Sequence, residues 1–175
     1  DAQYNTRVGT NAGNSFSGTN AIYNTLIGYE AGTAITTGDY NTAVGGRDTL
    51  KATTTGSYNV ALGNFTLSAI TTQTNNTAVG YAALNANTAS SNTAIGYQAL
   101  WANTTGTRNV AVGYNALDAN TTAGNNTAIG YLALTANTTG AYNTALGDGS
   151  LGNNTTASNN TAVGYAALNL NTTGT

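Results

Sequence analysis

Small apolar and polar residues alternate in one short phrase that returns along the whole chain. In its fullest form it reads Asn-Thr-Ala-Val-Gly, as at 41–45 and 76–80. The residue before the glycine is always Val, Ile or Leu, and an asparagine stands four positions before it: Asn5, Asn24, Asn41, Asn59, Asn76, Asn92, Asn109, Asn126, Asn143 and Asn160. The glycines are Gly9, Gly28, Gly45, Gly63, Gly80, Gly96, Gly113, Gly130, Gly147 and Gly164, at intervals of 16 to 19 residues with 17 the commonest. A steady period of this size marks a repeat architecture, in which each unit packs only on its neighbours. Seventeen residues cannot hold two helices and a turn, and Thr, Asn, Gly and Val are weak helix formers. The alternation predicts short strands instead, one at Thr-Ala-Val-Gly and one at Tyr-x-Ala-Leu, whose leucines include Leu67, Leu84, Leu100, Leu117, Leu134, Leu151 and Leu168. Asn, Thr and Gly between them predict turns, and turns absorb the variation in length, as at 13–18 and 89–91. The expected fold is all-β: a parallel β-roll or β-solenoid of about ten stacked coils, a single domain over 1–175. At ~4.8 Å per coil the rod would be on the order of 50 Å long.

Stacking sets like residues above one another. The asparagine column can then pass amide hydrogen bonds up the rod. On the strand, the alanine two before the glycine (Ala43, Ala61, Ala78, Ala94, Ala111, Ala128, Ala145, Ala162) shares a face with the glycine. That face has almost no side chain, so Ala78, Gly80, Ala94, Gly96, Ala111, Gly113, Ala128 and Gly130 are expected to admit a second backbone or subunit closely. The Val/Ile/Leu column points the other way and is expected to form the core of each coil. Tyrosine occupies two places only. It follows the glycine at 29, 81, 97, 114, 131 and 165, or precedes it by five at 4, 23, 40, 58 and 142. The two sites are expected to fill neighbouring volume, within a coil or across a subunit contact.

The strings Val60-Ala61-Leu62-Gly63, Thr93-Ala94-Ile95-Gly96 and Val110-Ala111-Val112-Gly113, each led by Asn, resemble the head repeats of trimeric autotransporter adhesins. The fuller unit Asn-Thr-Ala-Ile-Gly-Tyr-Gln-Ala-Leu at 92–100 is similar to repeats of tail-fibre-type proteins that end in a chaperone domain. The resemblance covers the whole chain. It implies a left-handed roll, three chains to a fibre, on a cell or virion surface. Few large apolar side chains per coil make a lone rod marginal, which favours partners that are copies of itself, as a trimer or a head-to-tail filament; a single-chain solenoid is the alternative. The sequence starts and stops inside its own repeat, so the expectation is a window on a longer fibre, with end-to-end polymerisation as the other reading.

Composition narrows the chemistry. Thr (35), Ala (30), Asn (27) and Gly (22) make up 114 of 175 residues, and His, Cys, Met and Pro are absent. That leaves no imidazole base, no thiolate and no ordinary zinc or iron–sulfur ligand set. Four basic residues and a net charge of −2 cannot neutralise a phosphate backbone, so no nucleic-acid partner is expected. No apolar run approaches the ~20 residues of a membrane span, so no membrane insertion by this segment is expected. The acids Asp1, Asp39, Asp48, Asp118, Asp148 and Glu30 hold unrelated places in the unit and read as solvated turn residues rather than a converging site. The chain reads as a non-enzyme without metal or cofactor. The leading function is a structural repeat segment of an extracellular surface fibre or filament that supports adhesion. One alternative is an ice-binding solenoid using threonine columns, although the Thr-Thr pairs lie beside turns of variable length. Others are a phage tail-fibre shaft, or a tip that binds surface carbohydrate or a host receptor through tyrosine and asparagine. Asn-x-Thr triplets begin at Asn75, Asn103, Asn120, Asn125, Asn137, Asn154, Asn159 and Asn171; these are candidate glycan acceptors, or turn chemistry that matches the same pattern.

Overall fold

The structure is a computed structural model that describes residues 3–16 and 20–174; Asp1, and Ser17 and Gly18 of the turn expected at 13–18, lie outside them. Each Thr-Ala-Val phrase, or its equivalent, forms a strand of three residues. They run β1 Thr6–Val8, β2 Thr25–Ile27, β3 Thr42–Val44, β4 Val60–Leu62, β5 Thr77–Val79, β6 Thr93–Ile95, β7 Val110–Val112, β8 Thr127–Ile129, β9 Thr144–Leu146 and β10 Thr161–Val163. All ten pair in parallel and in chain order, as one sheet. The register follows the repeat: Thr77 lies on Thr93, Ala78 on Ala94 and Val79 on Ile95. Between strands the chain makes one circuit and returns a layer higher, so the molecule is a β-solenoid with one strand per coil. No helix occurs among the described residues.

The second predicted strand is a turn. In Tyr-x-Ala-Leu the residues two and four after the glycine take positive φ, as at Gln98 and Leu100 (both 52°) or Ala82 (56°) and Leu84 (52°). This alternation curls the chain round the rod while its N–H groups still reach neighbouring coils. Gln98 donates to the Tyr81 carbonyl below (2.9 Å) and Leu100 to that of Ala116 above (3.0 Å). A left-handed L-residue costs roughly 1–2 kcal/mol, and the inter-coil bonds offset that strain.

The interior also reverses an expectation. Alanine at the strand centre points inward and is fully buried at Ala43, Ala61, Ala78, Ala94, Ala111, Ala128 and Ala145, packed with the leucines of the turn, Leu67, Leu84, Leu100, Leu117, Leu134 and Leu151. The Val/Ile/Leu column is not the core. It lies on the outer face of the sheet, with Ile95 40% and Leu146 44% exposed. Volume is the reason. A coil of this circumference already contains a leucine, a further alanine and asparagine side chains, so the strand has room for a methyl group only.

The close-approach face is corrected with it. Ala78, Ala94, Ala111 and Ala128 are sealed inside their coils and meet no second subunit. Gly80, Gly96, Gly113 and Gly130 do admit another backbone closely, but it is that of the next coil in the same chain. The same holds at Gly63, where φ is +126° and a Cβ would stand 2.8 Å from the Gly80 carbonyl oxygen. Only glycine tolerates that combination.

Candidate functional site

The strand begins after an inward-pointing asparagine, and that position organises the rod. All ten asparagines of the column are buried. At each of the nine steps, from Asn5 to Asn24 up to Asn143 to Asn160, the backbone N–H of the upper residue donates to Oδ1 of the lower at 2.8–3.0 Å. The lower Nδ2 donates to a carbonyl of the coil above at 2.7–3.0 Å, as Asn24 to Gly38 and Asn109 to Ala123. The expected ladder is present, but it runs mainly from side-chain amide to backbone.

A second column, seven residues after the glycine, begins with Phe16 and Ile35, then Thr53 one place later in its longer coil, then Ile70. From there it becomes Asn87, Asn103, Asn120, Asn137, Asn154 and Asn171. Here amide meets amide: from Asn103 upward each Nδ2 donates to Oδ1 of the asparagine below at 2.7–3.2 Å. It also donates to a carbonyl three residues on, for example Asn103 to Gly106 at 2.9 Å.

This overturns most of the glycan reading. Asn103, Asn120, Asn137 and Asn154 are fully buried with their amides engaged, and Asn171 is half-buried in the same ladder, so a sugar cannot be attached there without opening the coil. Asn75 and Asn159 are exposed and Asn125 is half-exposed, all at the left-handed corner before the strand. Asn64 and Asn153 also open Asn-x-Thr triplets on exposed positions, and the triplet itself is the signal that marks them.

Outside, tyrosine forms two ladders. Tyr4, Tyr23, Tyr40 and Tyr58 stack at centroid distances of 5.0–5.2 Å. Tyr81, Tyr97, Tyr114 and Tyr131 stack at 5.2–5.4 Å, with Phe65 edge-on below them at 5.6 Å. The two positions stand at opposite ends of the strand, and among the described residues no ring contact joins them. The expected shared volume is therefore replaced by two separate columns. Within each, ring faces cover one another, and edges and hydroxyls meet solvent.

The charged groups are few and local. Glu30 and Asp48 do converge, on Lys51 (4.0 and 2.7 Å), because an extra residue in the coil of Gly45 shifts Asp48 into the column of Glu30. The Asp48 hydrogen bond, then its charge, holds the Lys51 ammonium pKa above its ordinary value. Asp39 accepts the Ile22 N–H and Asp118 the Thr135 hydroxyl. Among the described residues no three acidic groups cluster in a metal-holding arrangement, and no pocket opens.

These features define a class: a narrow parallel β-solenoid with an amide-laddered interior and an aromatic-laddered exterior. Comparison with family models, curated proteins and solved structures finds no match to this chain.

Proposed function

We propose that this chain is a structural repeat segment of an extracellular fibre or filament, borne on a cell or virion surface and supporting adhesion. The observation that carries this reading is the unbroken asparagine ladder, whose nine equivalent steps make length a simple multiple of repeat number. Its partners are copies of itself, three to a fibre or end to end. Chains that pack side by side as a trimer meet on the outer face of the sheet, where Ile27, Val44, Ile95, Ile129 and Leu146 stay partly exposed; chains joined end to end meet through the edges of β1 and β10. Sedimentation and native mass spectrometry test it. An elongated assembly of several chains, split by Ile95→Asp with the β signal retained, supports the reading. A monomer at every concentration overturns association through this face.

One observation favours a second reading, ice binding. Over the five units that keep a constant 17-residue spacing, Thr104, Thr121, Thr138, Thr155 and Thr172 stack in register, bonded coil to coil through their N–H groups. The hydroxyls of Thr104, Thr121, Thr138 and Thr155 are spent on carbonyls of the next coil, as for Thr104 on Thr121 at 2.9 Å, but the adjacent Thr105, Thr122, Thr139 and Thr156 are exposed. Thermal hysteresis in a freezing assay would establish this activity, and its absence would remove it.

A further inference from the structure

The eight tyrosines of the two ladders are 42–72% exposed, and the ring planes of their six stacked pairs lie within 16° of parallel. With no Cys, Met or His in the chain, a one-electron oxidant that attacks a side chain finds tyrosine or Trp101. We infer that the ladders are sites of oxidative tyrosine coupling, giving covalent staples between consecutive coils of a protein that cannot form disulfides. The oxidant class is hydrogen peroxide acting through a haem peroxidase. It removes one electron and one proton from each of two neighbouring phenols and is itself reduced to two waters. The unpaired electron of each phenoxyl is shared with the carbons beside the oxygen-bearing one. A bond forms between one such carbon on each ring, and the hydrogens displaced there return to the oxygens. Two tyrosines and one peroxide thus become one dityrosine and two waters.

Sheet register makes the pairing intramolecular. Consecutive rings are held at an effective concentration well above the roughly millimolar value of a flexible linker, so coupling within the chain outruns coupling between dilute chains. Tyr29, Tyr142 and Tyr165 are the internal contrast. They are 52%, 62% and 83% exposed, and none has a stacked ring partner among the described residues.

The test treats the dilute 175-residue chain with a haem peroxidase and hydrogen peroxide. It reads dityrosine fluorescence, mass under denaturing conditions, and cross-linked peptides by mass spectrometry. The expected result is monomer-mass protein that has lost two hydrogens per link, with links confined to Tyr4–Tyr23, Tyr23–Tyr40, Tyr40–Tyr58, Tyr81–Tyr97, Tyr97–Tyr114 and Tyr114–Tyr131. Tyr97→Phe keeps the ring but loses the phenol; it should abolish both links at position 97 and leave Tyr114–Tyr131 intact. No dityrosine, links chiefly between chains, or links at Tyr29, Tyr142 and Tyr165 as frequent as in the ladders would each overturn the inference.

Discussion

At Asn109 a side chain does what a further strand would otherwise do. Its Oδ1 takes the N–H of Asn126 and its Nδ2 serves the carbonyl of Ala123, both out of reach of water. Removing the amide strands a buried donor, so Asn109→Ala should destabilise the protein by about 2–3 kcal/mol, read as a lower denaturant midpoint. The opposite sign is expected at Ser150. It sits in the inward column of Ala99, Ala116 and Ala133, and its hydroxyl has no partner, whereas Thr49 and Thr66 in equivalent places donate to the Gly63 carbonyl. Ser150→Ala should therefore raise stability by about 1 kcal/mol. The first asparagine column was legible in the sequence because every unit carries it at one offset. The second was not, since Asn-Thr at a turn reads equally as a solvated corner or a sugar acceptor, and burial leaves no mark on the triplet.

The strand was legible as an element, but its two faces were not. Alternation tells which residues share a face, while the choice of inner face depends on how much room the rest of the coil leaves. Leu117 and Asn120 already fill the interior around Ala111, so the smaller residue goes in and Val112 goes out. Ala111→Val should cost about 1–3 kcal/mol through overpacking. Val112→Ala, trimming an only partly buried side chain, should cost under about 1 kcal/mol of the monomer's stability; paired thermal melts compare the two. The strand expected at Tyr-x-Ala-Leu failed for a related reason. Gln98, Leu100 and Leu132 adopt left-handed backbone without the Gly or Asn that normally announces it, because bonds to adjacent coils outweigh local preference.

For the whole molecule, period was the most reliable signal, since intervals of 16 to 19 residues still resolve into ten strands in perfect order. Coils that touch only their neighbours can be removed singly. Deleting 109–125 should bring Asn126 onto Asn92, Tyr131 onto Tyr97 and Asn137 onto Asn103, leaving a folded rod shorter by ~4.8 Å in small-angle scattering. Loss of the β signal would contradict nearest-neighbour packing.

The direction of the inter-coil bonds has a mechanical consequence. Because they point along the axis, tension applied to the two termini bears on the outermost layer alone, which peels before the next is loaded. Each coil that yields pays out ~17 residues, on the order of 60 Å of slack, against the ~4.8 Å it occupied. Optical-tweezer traces should show a staircase of near-equal extensions, the signature of a tether that absorbs shock by unwinding in instalments.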